Sequence, residues 1–101
     1  MIILFSFFLF ISVHSDLKEA LKGATYIQEN TPERLEIKKS IFVELDRLLR
    51  EIGNDTAIVG SSTSTLKGSL FTDGLSIQDR SIVVHPVLFL FIHGKCLIIS
   101  C

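Results

Sequence analysis

The sequence has no tryptophan, one methionine, two prolines and two cysteines in 101 residues. The cysteines, Cys96 and Cys101, are too few for a disulfide framework. The formal net charge of −1 offers no electrostatic basis for binding nucleic acid or an anionic membrane surface. A chain of this length holds at most one small domain. Local motifs are therefore the main indicators of its function.

Uninterrupted apolar runs of the roughly 18 to 20 residues that a transmembrane helix needs are also missing. Residues 1–15, "MIILFSFFLFISVHS", have the pattern of a signal peptide cleaved after Ser15, and the alternative is a non-native apolar start. Residues 85–101 form an apolar tail, expected as buried strands, as a membrane anchor or as a spurious tail. The N-terminal pattern predicts the secretory pathway, and both ends favour membrane association. Residues 16–84 are then the folded unit.

Two phosphate-binding motifs are missing, since the chain contains neither a Walker A sequence nor Gly-x-Gly-x-x-Gly. In their place, the stretch "AIVGSSTSTL" runs from an apolar strand into a glycine and a series of hydroxyl side chains. A glycine lets an anion approach the backbone, and the hydroxyls and nearby amides donate to its oxygens. Gly60, Ser61 and Ser62 are therefore candidate nucleotide-binding residues, with a flexible Ser/Thr loop as the alternative.

Two helices are predicted ahead of this stretch. Apolar residues recur at helical spacing from Leu17 to Ile27, and more strongly from Leu35 to Ile52. Just ahead of the second stretch, Thr31 and Pro32 favour a helix start. After the stop at Gly53, strands are expected at residues 56–59, 75–77 and 81–84. The expected fold class is α+β, with two N-terminal helices followed by a small, incomplete β-sheet.

The order helix, turn, strand, Gly-Ser-Ser between Leu35 and Leu66 resembles the start of the polymerase-β-like nucleotidyltransferase fold, especially the non-canonical poly(A) polymerases and terminal uridylyltransferases. The resemblance implies that Gly60, Ser61 and Ser62 contact the triphosphate of the incoming nucleotide. It further implies Mg²⁺ as the cofactor, a nucleoside triphosphate and RNA as partners, and a place in the cytoplasm or nucleus.

The same resemblance implies an Asp-x-Asp pair on a later strand, where two carboxylates on one face hold two metal ions. Asp73 and Asp79 are the candidate catalytic carboxylates, but Leu75 and Ser81 stand where each second carboxylate would be. No metal site can be assigned. The resulting hypothesis is a truncated or degenerate nucleotidyltransferase segment, related to RNA 3′-end processing and inactive alone.

The alternative hypothesis is a small secreted or membrane-anchored protein with an unknown binding role. The sequence Asn54-Asp55-Thr56 is an acceptor for N-glycosylation in a predicted turn. If the chain enters the secretory pathway, Asn54 is the expected glycosylation site.

Overall fold

The computed structural model describes residues 2–5, 11–14, 16–83 and 96–100, with side chains for 16–83. The strands are β1 Ile2–Phe5, β2 Ile11–His14, β3 Tyr26–Asn30, β4 Ile58–Ser61, β5 Ser81–Val83 and β6 Cys96–Ser100. They form one sheet in the order β2-β1-β6-β3-β4-β5. Strands β6, β3, β4 and β5 are parallel, whereas β1 pairs antiparallel with both β2 and β6.

The first helix, α1, is much shorter than its apolar spacing predicts, because it spans only Leu17–Leu21. Asp16 caps its start by accepting from the amide of Lys18 at 3.0 Å. Gly23 has a positive φ of 72°, a conformation that ends helices, and the chain then extends into β3. The expected fold order of two helices before a sheet is therefore wrong, since a central strand separates α1 from the next helix.

The second helix, α2, spans Leu35–Glu51 and crosses over between the parallel strands β3 and β4. Its apolar stripe is buried, and this confirms the predicted amphipathic helix although the helix begins later than Pro32. The core that it joins contains Ile27 of β3 and Val59 of β4. A parallel pair with a helical crossover is the repeating unit of α/β folds.

The segment after β4 contains α3, Ser69–Thr72, and a short 3-10 helix, Gln78–Arg80. The strand predicted at residues 75–77 is wrong, because the segment turns there and Ile77 buries its side chain in the core. The strand predicted at 81–84 is confirmed for the three residues of β5, and position 84 lies outside the described residues. Asp46 of α2 fixes this segment by accepting from the Ile77 amide at 3.1 Å and from the Ser76 hydroxyl.

Asn54 connects the two loops at the amino ends of β3 and β4. Its Nδ2 donates to the carbonyl oxygens of Ala24 at 2.9 Å and Leu21 at 3.4 Å, while its Oδ1 accepts from the Ala57 amide at 3.2 Å. Glycosylation of Asn54 stays a prediction, and the nitrogen that would carry the sugar is the donor in two of these bonds.

We expect Asn54→Ala to lower the free energy of unfolding by about 1 to 3 kcal/mol, because the partly buried groups in both loops lose their partner. Urea denaturation of the purified chain measures the change. Asp55→Ala, at the exposed neighbouring position, is the matched control. Equal effects of the two substitutions would contradict a structural role for the Asn54 amide.

Among the residues that the structure describes, no helix has both the length and the apolar character needed to cross a membrane.

Candidate functional site

The carboxyl ends of β3 and β4 lie side by side, with Glu29 and Ser61 paired in register. Each strand leads into a polar segment: residues 30–34, which begin with the last residue of β3, and residues 62–66, here called the hydroxyl loop, which follow β4. We call this end of the two strands, with its two loops, the carboxyl edge. In parallel α/β sheets, ligands bind outside the carboxyl ends of the strands.

Glu29 is fully buried and joins three segments at this edge. Its carboxylate accepts from Lys38 Nζ at 2.7 Å, from the Thr31 amide at 2.8 Å, and from the hydroxyls of Thr31 and Ser61. Its backbone oxygen accepts from the amide of Ser62 at 3.0 Å. One buried residue therefore fixes both loops and the first turns of α2.

Opposing effects act on the pKa of Glu29. Burial raises it, while the hydrogen bonds from Lys38, Ser61 and Thr31 lower it, and the net result is a pKa below the usual value of 4.5. Glu29 is therefore ionised at neutral pH and forms an ion pair with Lys38, which is 1% exposed. Lys38 also donates to the Thr31 carbonyl at 3.2 Å, so its ammonium is held at two points.

Glu33 is bound by the hydroxyl loop. Its carboxylate accepts from the Thr63 hydroxyl at 2.6 Å and from Ser64 through both the amide, at 2.7 Å, and the hydroxyl, at 3.1 Å. The Thr65 amide adds a longer contact at 3.4 Å. The hydroxyl run predicted to hold a phosphate thus holds a carboxylate of the same chain.

These contacts, the Thr63 hydroxyl first and the Ser64 amide second, lower the pKa of Glu33 from 4.5 to about 2. A pKa that is lower in the folded than in the unfolded chain stabilises the fold fully above the unfolded value. That stabilisation is then lost as the pH falls from about 4.5 to about 2. Near neutral pH the Glu33 contacts are complete.

The structure places the three candidate nucleotide-binding residues at the end of β4, each beside a residue of β3. Ser61 donates to Glu29, and the Ser62 hydroxyl donates to the Glu29 carbonyl at 3.2 Å. At Gly60, an added Cβ would lie 1.9 Å from the Tyr26 hydroxyl oxygen. The side chain of Tyr26 therefore explains why a glycine is needed at position 60.

The two candidate catalytic carboxylates lie on no strand. Asp73 is the exposed residue that ends α3, and Asp79 is exposed in the 3-10 helix. Because neither residue is on a strand, neither can be a member of the strand-borne Asp-x-Asp pair that the resemblance implies. Within the described ranges, no group of three or more His, Cys, Asp or Glu residues could hold a metal ion.

Sequence reasoning missed Glu29, Glu33 and Lys38, the charged residues that organise the carboxyl edge. The apolar spacing extends the first predicted helix into Tyr26–Asn30, which the structure shows to be a strand. β3 carries no alternation of apolar and polar residues, since four consecutive residues, Tyr26 to Glu29, are buried, so no pattern of period two marks it as a strand.

Comparison of the sequence with known families shows which family this α/β chain belongs to. The family described as "3-hydroxyacyl-CoA dehydrogenase, NAD binding domain" matches residues 6–88. The chain belongs to this family. The parallel strands, the helical crossover and the polar carboxyl edge are those of a nucleotide-binding α/β sheet.

Several curated proteins are similar over most of this chain. The lambda-crystallin homolog of Mus musculus is 46% identical over 77 residues, 76% of this chain and 23% of that protein. L-carnitine dehydrogenase/betainyl-CoA thioesterase of Ruegeria pomeroyi is 41% identical over 76 residues, 75% of this chain and 15% of that protein. L-carnitine dehydrogenase of Oceanobacillus iheyensis is 40% identical over 70 residues, 69% of this chain and 22% of that protein. The chain spans less than a quarter of each of these relatives.

The family assignment corrects the nucleotidyltransferase hypothesis. The family is a dehydrogenase family, and the cofactor in its description is NAD, so Mg²⁺, a nucleoside triphosphate and RNA are wrong as cofactor and partners. The role in RNA 3′-end processing is wrong for the same reason. The Gly-Ser-Ser sequence was misleading because a glycine followed by hydroxyls can end a strand in unrelated folds.

Proposed function

We propose that this chain contributes part of the cofactor and substrate site of an NAD-dependent dehydrogenase that acts on alcohols of the 3-hydroxyacyl kind. The family description and the relatives named as dehydrogenases support the reaction class. The structural observation that carries the proposal is the pairing of Glu29 with Ser61, which brings two donor-rich loops together at the carboxyl edge.

The residues present do not fit the diphosphate of NAD. Dinucleotide-binding folds hold the diphosphate on a Gly-x-Gly-x-x-Gly turn, and no two of the six glycines in this chain are separated by a single residue. Glu29, Glu33 and Lys38 together carry a formal charge of −1 (two negative, one positive), which disfavours a phosphate group at the carboxyl edge.

The same edge fits the nicotinamide and ribose end of the cofactor, which carries amide and hydroxyl groups and no negative charge. The exposed residue Thr65 provides a hydroxyl group there, and half-buried Asn30 provides an amide. The Ser64 hydroxyl donates its proton to Glu33, so it provides only an acceptor. NAD, when bound, supplies the acceptor for a hydride from the carbon that bears the substrate hydroxyl.

The contribution of this chain is to position polar groups before a ligand arrives. Glu29 and Lys38 are both buried and hold residues 30–34 and the hydroxyl loop at fixed separation. Binding groups supported by such a second layer lose little conformational entropy when the ligand binds.

The names of the family and of its similar proteins indicate the substrate class. The family description specifies 3-hydroxyacyl-CoA, and two of the similar proteins are named for L-carnitine. Both names describe a molecule that carries a hydroxyl group. A substrate hydroxyl adjacent to the nicotinamide would meet the polar side chains of the carboxyl edge.

Ligand titration followed by ¹H–¹⁵N NMR tests this proposal. We expect NAD⁺ and phosphate-free nicotinamide riboside to shift the amides of residues 30–34 and 62–66, with dissociation constants in the roughly millimolar range. AMP should leave these amides unchanged, because its phosphate is repelled and it lacks the nicotinamide. Thr65→Val should weaken the riboside effect, since the valine keeps the shape and loses the hydroxyl.

The matched control is Thr56→Val, an exposed threonine at the opposite end of the same sheet. The proposal is wrong if the riboside shifts no amide at the carboxyl edge, or if Thr56→Val and Thr65→Val weaken binding equally.

A further inference from the structure

Glu33 occupies the donors that make the hydroxyl loop suitable for an anion. Four donors from Thr63, Ser64 and Thr65 converge on its carboxylate, at distances of 2.6 to 3.4 Å. Consecutive amides and hydroxyls directed at one point form an anion-binding concavity. In this chain the carboxylate of Glu33 fills that concavity.

An external oxyanion at this loop would need these same donors. The side chain of Glu33 is 34% exposed, so its position can be reached from solvent. A phosphate or carboxylate could bind only if the Glu33 carboxylate left, which would break several charge-assisted hydrogen bonds at once. Competition with Glu33 therefore weakens the binding of any external anion at this site.

Local charge acts in the same direction. The Lys38 ammonium lies 2.7 Å from Glu29 and 3.7 Å from Glu33, so one cation is shared between two carboxylates. The cluster keeps a net negative charge while Glu33 is present. Without Glu33, the pair of Glu29 and Lys38 is neutral, and an incoming anion no longer meets a repulsive charge.

We propose that Glu33 is a specificity-determining residue that closes the hydroxyl loop to external oxyanions. The exclusion itself depends on the geometry of the loop and on the local charge, and not on the proposed function. Its meaning for the cofactor rests on the proposed function: the loop accepts the nicotinamide and ribose end of the dinucleotide and rejects its phosphates.

The test is titration of the full chain with sodium phosphate and, separately, sodium acetate at constant ionic strength and neutral pH. The readout is the ¹H–¹⁵N shifts of the Ser64 and Thr65 amides. We expect no saturable shift in the wild type and saturable binding of both anions by Glu33→Ala, with a dissociation constant at least about tenfold below the highest anion concentration that leaves the wild type unshifted. Glu33→Gln, which keeps the size of the side chain, should bind more tightly than the wild type and provides the same comparison if Glu33→Ala does not fold.

Glu36→Ala is the matched control, because Glu36 is also an exposed glutamate near the start of α2 and its ion-pair partner is Arg34 at 2.7 Å. This variant should respond to anions as the wild type does. Saturable anion binding by the wild type, or none by a folded Glu33 variant, would overturn the proposal. Either result is independent of the riboside titration, so failure of the proposed function is seen separately.

Discussion

Lys38→Met is expected to lower the free energy of unfolding by about 3 to 5 kcal/mol, because it leaves the carboxylate of Glu29 buried without its cation. The two charged atoms are 2.7 Å apart, and the side chains are 1% and 0% exposed. Urea denaturation with circular dichroism measures the loss. Since small domains are stable by only about 5 to 15 kcal/mol, the variant should be partly unfolded at moderate temperature.

The pH dependence identifies the cause of this loss. In the wild type the pKa of Glu29 lies below 4.5, so Glu29 is ionised at neutral pH. Without Lys38, burial should dominate and raise the pKa of the folded state above that of the unfolded state. The difference between variant and wild type should then be largest at neutral pH and shrink as the pH falls, because a protonated Glu29 needs no cation.

Lys39→Met is the control, since Lys39 is the exposed neighbour on the same helix, and we expect a change within about 0.5 kcal/mol. The double variant Glu29→Leu/Lys38→Met should cost less than the sum of the two single changes. A loss below about 1 kcal/mol for Lys38→Met would show that the ion pair is not needed for folding.

The second large effect is expected at Phe42, where Phe42→Ala should cost about 3 to 5 kcal/mol. Phe42 is fully buried on α2, and its ring centroid lies 4.7 Å from that of Phe71 in α3. The substitution leaves a cavity and removes the ring against which Phe71 packs. Denaturant unfolding measures the stability, and hydrogen exchange should show α3 losing protection first.

Val43→Ala is the control for this prediction, because Val43 is adjacent on the same helix but 54% exposed. We expect its effect to stay within about 0.5 kcal/mol. Similar losses at positions 42 and 43 would mean that α2 packs in a different rotation about its axis.

The sequence predicted α2 well because its stripe is long and strictly periodic. The structure buries Phe42, Leu45 and Leu49 completely, as the helical spacing indicates. The end of the helix was equally clear, because Gly53 has a positive φ of 73°. Periodicity over a helix of this length, with a glycine after it, contains enough local information to define the element.

β3 could not be predicted in the same way. Gln28 and Glu29 are fully buried in the middle of the sheet, where pattern rules expect apolar residues. They are tolerated because Gln28 bonds with Tyr26 at 2.6 Å and Glu29 has Lys38, nine positions later. Missing this one strand concealed the strand-helix-strand unit, and with it the fold class and the family.

At the candidate site, local sequence information predicts where the hydroxyl loop lies but not which residue it binds. Its glycine and hydroxyls mark the end of β4, but they do not reveal that Glu33, about thirty positions earlier, accepts their hydrogen bonds. Single-sequence reasoning has no means of pairing residues that far apart. The position of the loop was therefore predictable, and its occupant was not.

The contact between Tyr26 and Gly60 has a consequence for how this family varies. A Cβ at position 60 would lie 1.9 Å from the tyrosine hydroxyl oxygen and 2.8 Å from Gln28 Oε1, and both distances are too short for non-bonded atoms. Each residue thus limits the other: a serine or alanine at position 60 requires a shorter or differently directed side chain at position 26. In an alignment these two columns should covary, with tyrosine accompanied by glycine and smaller residues at position 26 by residues that have a Cβ.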